Sequence, residues 1–116
     1  MKLKLIVALV SDDKTNAVVQ AARDAGATGA TTIPSVRGEG LKPQKTFLGL
    51  DLAARRDVVL LVVSETRARP ILERIREAAE MDENPGAGIA VQLDIEDAVG
   101  LVTQLPALQE EVSQDL

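Results

Sequence analysis

Leu5-Ile6-Val7-Ala8-Leu9-Val10-Ser11-Asp12 returns further along the chain as Val58-Val59-Leu60-Leu61-Val62-Val63-Ser64-Glu65. Laying Ser11 on Ser64 also lays Val18 on Ile71, Val19 on Leu72, Ala22 on Ile75 and Ala25 on Ala78, so the apolar run and the helical face behind it both recur. A continuous apolar run followed by apolar residues at three- and four-residue steps reads as a strand feeding a helix. A strand-helix-strand unit written twice folds as βαββαβ around an antiparallel sheet, the ferredoxin-like plan of the α+β class.

Working outward, Lys2-Leu3-Lys4-Leu5 alternates before the first run becomes wholly apolar, as a central strand covered on at least one side does. Ser11 or Asp12 is placed to cap the first helix, whose face is Ala17, Val18, Ala21, Ala22 and Ala25 and whose end is Gly26. Lys14 and Arg23 fall off that face and read as solvent charges. Thr28 to Val36 is a β-branched second strand, with Pro34 directing its later half to a sheet edge. Asp57 to Val63 is the third strand.

Ser64 or Thr66 opens the second helix, with Pro70 in its first turn and Ile71, Leu72, Ile75, Ala78 and Ala79 on one face. Arg67, Arg69, Arg74 and Arg76 fall mostly off that face, as a solvated surface, and the helix ends near Met81. Glu83-Asn84-Pro85-Gly86-Ala87-Gly88 is a turn leading to a fourth strand, Ile89 to Leu93. Ile95 to Leu105 has room for a short turn and one more extended segment. Residues 1–105 are therefore expected to form the domain and residues 106–116 an acidic C-terminal tail.

Between Arg37 and Arg56 lie Gly38, Gly40, Lys42, Pro43, Lys45 and Gly49, with neither strand nor helix period. This is a long loop between the second and third strands, and loops of that length inside a small domain usually contact something.

Composition narrows the chemistry. A chain of 116 residues buries roughly two-thirds of its unfolded surface as one domain. Phe47 is its only aromatic, so the core is Val, Leu, Ile and Ala and gains less area per residue, which favours an oligomer. Without Cys or His there is no disulfide framework, no thiolate or imidazole metal site and no histidine triad. All 13 Lys and Arg lie at or before Arg76 together with 8 acids, while Glu77 onward carries 10 acids and no base. An RNA-binding sheet of this plan needs stacking aromatics and a basic face, so nucleic acid is not an expected partner. No apolar run approaches the roughly 18 residues of a bilayer span, and the expectation is a cytoplasmic protein without membrane insertion.

The chain resembles the PII signal-transduction family, and its divergent PII-like relatives most of all, over about Lys2 to Gly100. The resemblance is carried by Lys4-Leu5-Ile6-Val7-Ala8-Leu9-Val10, Ala25-Gly26-Ala27-Thr28-Gly29-Ala30-Thr31, Val36-Arg37-Gly38-Glu39-Gly40 and Glu83-Asn84-Pro85-Gly86-Ala87-Gly88-Ile89-Ala90, in that order and spacing. It implies a homotrimer, a long loop (the T-loop) that touches a target protein, and adenine-nucleotide sites between subunits. By that resemblance the site residues are Thr28 and Gly29 against adenine, Arg37, Gly38, Glu39 and Gly40 at the loop base, and Gly86, Ala87 and Gly88 around the phosphate.

Two departures shape what is expected of the ligand. Ile89 stands where nucleotide-binding members of the family have a lysine, and no base follows Arg76. Each missing charge-assisted contact forfeits about 1.5 to 3 kcal/mol, which disfavours ATP; a less charged nucleotide such as AMP or ADP, help from Arg37, Lys42 or Lys45, or a different small anion each fits the residues present. The absence of Tyr removes the residue that conventional members present for modification.

The resemblance thus implies a nitrogen-regulatory type of sensor rather than an enzyme. An effector bound between subunits orders the Arg37 to Arg56 loop, whose Lys42, Lys45 and Phe47 engage a membrane transporter or a metabolic enzyme. The rival reading is a structural or assembly trimer of the same fold without ligand. Phosphate ester hydrolysis would need an arginine cradle, and Ser11-Asp12-Asp13 offers acids there instead.

Overall fold

The computed structural model describes residues 2–36, 46–47, 50–51, 55–84 and 86–100. In chain order these form β1 (Leu3–Ser11), α1 (Thr15–Asp24), β2 (Thr31–Val36), β3 (Thr46–Phe47), β4 (Leu50–Asp51), β5 (Arg56–Ser64), α2 (Glu65–Ala78) and β6 (Gly88–Asp94). The main sheet has the order β2-β5-β1-β6 with every neighbour antiparallel. That is the doubled strand-helix-strand plan. Inside the long connection, Thr46–Phe47 pairs with Leu50–Asp51 as a two-residue ladder, too short to leave a period in the sequence. The expected tail, residues 106–116, lies outside the described residues, and the chain from Ile95 to Gly100 has no regular secondary structure.

The two repeats meet at the middle of the sheet. β1 and β5 are nine residues each, and Val7 pairs with Leu60, its own equivalent in the repeat, so the pseudo-two-fold axis passes through that pair. One sheet face, Ile6, Ala8, Val10, Val59, Leu61 and Val63, is buried under Val18 and Ala22 of α1 and Ala68, Ile71 and Ile75 of α2. Each fully buried Val, Leu or Ile there contributes about 1.5 to 3 kcal/mol. The small face of α1 lets it lie close on that sheet.

The opposite face is also apolar but is not closed. Leu5, Val7 and Leu9 alternate with the core row, and their cross-strand neighbours are Val62, Leu60 and Val58 on one side and Leu93, Val91 and Ile89 on the other. Ile33, beside Val58, is 46% exposed, Val91 41% and Leu93 49%. A lone protomer thus leaves these apolar side chains partly in water.

Both helices end with the same paired hydrogen bonds. In α1 the Gly26 amide donates to the Arg23 carbonyl at 3.0 Å and the Ala27 amide to Ala22 at 2.9 Å, with Gly26 at φ 111°. In α2 the Glu80 amide donates to Glu77 and the Met81 amide to Arg76, each at 3.1 Å, with Glu80 at φ 54°. The left-handed conformation suits glycine and costs another residue about 1 to 2 kcal/mol. The end of α2 therefore falls at Ala78, earlier than Met81.

Several local expectations are corrected. The residue capping α1 is Lys14, not Ser11 or Asp12, and it makes no side-chain cap. The chain first turns through a Lys14 amide bond to the Ser11 carbonyl at 2.9 Å. Ser64 does precede α2, but Pro70 lies in the second turn and not the first. The helix runs on through it, giving up the bond that a Pro nitrogen cannot make. Arg67 is not a solvent charge: it donates to the Ala25 carbonyl at 3.1 Å and lies over Gly26, where a Cβ would meet its guanidinium at 2.2 Å. Lys14 pairs with Glu80 at 2.8 Å. Pro34 holds its expected place: β2 is an edge strand with an irregular register between Ile33 and Val36.

Candidate functional site

Sheet register gathers three separate stretches of sequence at one end of the domain. Ser11 and Val36 both pair with Arg56, while Val10 pairs with Asp57 on one side and Gly88 on the other. The place where the long connection leaves the sheet, the residue that closes it and the end of the glycine turn are thus neighbours.

Arg56 is the centre of this arrangement. It is 6% exposed, and its Nη1 donates to the carbonyl of Ala87 at 3.3 Å. Its Nε is buried with no hydrogen-bond partner among the described residues. The Ala87 carbonyl also accepts the Ser11 amide at 3.4 Å, and the Ala87 amide donates to the Asn84 carbonyl at 3.0 Å. The middle of the glycine turn is therefore held from three directions. Beside it, the Thr15 hydroxyl donates to buried Asp57 at 2.6 Å.

Two exposed carboxylates complete the electrostatics. A hydrogen bond from Ser11 holds Asp13 below the ordinary carboxylate range, helped by its own amide and by the charges of Lys14 and Arg56, against some desolvation. Glu80 is held down by a hydrogen bond from Lys14 and by that charge, with a smaller contribution from Asn84, and Lys14 is raised by the same contact. Among the described residues no three His, Cys, Asp or Glu side chains come together as metal ligands.

The expected site residues other than Ala87 divide into four cases. Gly88 has a packing reason of its own, because a Cβ there would sit 2.7 Å from the Leu9 carbonyl oxygen and 3.2 Å from Met81. Gly86 turns at φ 77°. Thr28 and Gly29 lead into β2 from the opposite end of the sheet, and a Cβ on Gly29 would meet nothing within 4 Å. Within one protomer these two are thus not brought to the turn. Arg37, Gly38, Glu39 and Gly40, with Lys42 and Lys45, lie outside the described residues, and for Phe47 only the backbone is described.

Sequence reading missed Arg56 as a site residue. Its signal was faint but present: Arg55-Arg56 immediately precedes an apolar strand, and the position equivalent to Arg56 in the first repeat is Leu3. A charge opening a core strand, where the other copy has leucine, needs a partner in the fold.

An antiparallel sheet of this order with two helices on one face defines the ferredoxin-like class of α+β folds, here with a long connection that leaves and re-enters the sheet beside a glycine turn. The sequence profile described as "Nitrogen regulatory protein P-II" matches residues 3–104, and the chain belongs to that family. Among solved structures it is similar to a protein of Thermus thermophilus described as PII-like and signalling, with 25% identity, TM-score 0.60 and coverage of 82% of this chain and 87% of that one. It is also similar to CPII of Thiomonas intermedia, crystallised with ADP, AMP and acetate, with 18% identity, TM-score 0.63 and coverage of 84% and 89%. The apo form of CPII, described as a nitrogen regulatory PII-like protein, matches at 18% identity and TM-score 0.61 over 82% and 90%. None of the curated proteins matches the chain. Among the described residues no helix is long and apolar enough to cross a membrane.

Proposed function

We propose that this PII-family chain is a cytoplasmic regulator, not an enzyme, that works as a homotrimer and binds an adenine nucleotide, AMP or ADP before ATP, between subunits. The observation that carries the reading is Arg56: a buried guanidinium against the glycine turn, with one nitrogen unpartnered among the described residues, where the long connection closes. It supplies the positive charge that Ile89 does not. Ligand charge meeting Arg56 acts at once on Gly86–Gly88 and on the root of the Arg37 to Arg56 loop, which then engages or releases a target, a membrane transporter or a metabolic enzyme.

The open sheet face supports assembly. Packing Leu5, Val7, Val62, Val91 and Leu93 against sister subunits removes an apolar surface that a lone protomer leaves in water. It also gives Thr28 and Gly29 of one protomer a route to the turn of a neighbour. That CPII was crystallised with ADP and AMP supports the choice of ligand.

A second reading has its own observation. Gly88 is already required by the Leu9 carbonyl, and both the amide and carbonyl of Ala87 are bonded within the fold. A trimer that serves only as an assembly would need no more. Calorimetry with AMP, ADP and ATP separates the two. The sensor binds AMP or ADP, and ATP no more tightly; the assembly binds none of them.

A further inference from the structure

Glu80 is the first residue after the C-cap of α2, the backbone position that glycine fills after α1. Gly26 ends α1 at φ 111° and Glu80 ends α2 at φ 54°, with the same pair of backbone bonds. The backbone gains nothing from a carboxylate there, so what the position supplies is the side chain.

That side chain joins two elements. Its Oε2 accepts from Lys14 Nζ at 2.8 Å, at the start of α1, and from Asn84 Nδ2 at 3.1 Å, in the turn after α2. Asn84 also donates its own amide to the Glu80 carbonyl at 3.1 Å, and its carbonyl receives the Ala87 amide at 3.0 Å. A continuous chain of bonds therefore runs from Lys14 through Glu80 and Asn84 to the middle of the glycine turn, where the Ala87 carbonyl meets Arg56.

We infer that Glu80 is a positioning residue for that turn: by holding Lys14 and Asn84 together it fixes the carbonyl that receives the Ala87 amide, and so sets the Gly86–Gly88 backbone against the Arg56 guanidinium. The inference rests on the reading of the turn as the ligand site, yet the clamp is measurable without ligand. Both partners of the Lys14–Glu80 pair are partly exposed, so its contribution to global stability is small and its main effect is on local geometry.

The test is amide hydrogen exchange, followed by NMR, in the full-length protein and its Glu80→Gly and Glu80→Gln variants. Glycine accepts the left-handed backbone without strain, so Glu80→Gly keeps the fold. Its Ala87 amide is expected to exchange at least about tenfold faster, with the amides of β1 and β5 unchanged. Glu80→Gln keeps the acceptor and is expected to stay within about threefold of the parent at Ala87. ADP affinity then falls in Glu80→Gly and is retained in Glu80→Gln. Unaltered exchange at Ala87 in Glu80→Gly, or faster exchange shared with β1 and β5, overturns the inference. A parent protein that binds no nucleotide while its Ala87 protection depends on Glu80 overturns the ligand reading and leaves the clamp in place.

Discussion

The guanidinium of Arg56 reaches the carbonyl of Ala87 at 3.3 Å, although the two residues lie 31 positions apart in sequence. The first closes the long connection and the second is the centre of the glycine turn. One hydrogen bond therefore joins the two. It is the contact through which the proposed reading couples the loop to the turn.

Arg56→Met keeps most of the buried aliphatic stem and removes the charge. Losing a charge-assisted contact of about 1.5 to 3 kcal/mol is expected to weaken ADP binding by roughly tenfold to a hundredfold. Arg56→Lys recovers part of it as a point charge without the planar fork. Calorimetry on the three proteins reads this directly, and equal ADP affinities would remove Arg56 from the site.

The glycines separate packing from binding. Gly88→Ala places a Cβ 2.7 Å from the Leu9 carbonyl oxygen, so β6 must shift, at a cost of about 1 to 3 kcal/mol with or without ligand. Gly29→Ala meets open space and is expected to leave the denaturation midpoint unchanged while lowering nucleotide affinity. Urea denaturation and calorimetry on both variants check the contrast. Gly29→Ala with unaltered affinity removes that residue from the adenine contact.

Val91→Glu puts a carboxylate in the middle of the open sheet face, beside Val7. In the free protomer Val91 is 41% exposed, so folding tolerates the change, but an assembled apolar face does not. Sedimentation velocity is expected to show a trimer for the parent and a folded monomer for the variant. A variant that still sediments with the parent would place the subunit contact elsewhere.

Stability should fall on both sides of neutrality for the same few contacts. Lys4, by a hydrogen bond first and then by charge together with Lys2, holds Asp94 below the carboxylate range, and Lys14 does so for Glu80. A carboxyl depressed in the folded state contributes stability above its unfolded value and loses it as pH falls through the folded one. Lys4 and Lys14 are raised by those partners, so their contribution is complete below the ordinary lysine value and disappears as pH rises through the raised one. All four groups are at the surface, so salt should flatten both limbs. Urea midpoints across pH, at low and high salt, check this; an acid limb unaltered in the Asp94→Asn, Glu80→Gln double variant would contradict it.

The fold was legible where a local pattern carries it. The duplicated run predicts β1 and β5, Gly26 the end of α1, and Pro34 an edge strand. What escaped depends on partners distant in sequence. Glu80 stands at a left-handed position with its side chain on Lys14 and Asn84, and Lys14 is 66 positions away in sequence. Arg56 is buried by the turn that ends at Gly88, and Pro70 is carried inside α2 by a helix packed through Ala68, Ile71 and Ile75. Of the candidate site, the glycine turn was legible from its composition, whereas the cation beside it emerged only when the sheet register brought β5 to the turn.

Native mass spectrometry of the full-length protein with ADP bears most directly on the central claim. The account predicts a trimer that takes up as many as three ADP molecules, with occupancy reduced by Arg56→Met. A monomer, or a trimer that carries no ADP at saturating concentration, would contradict it.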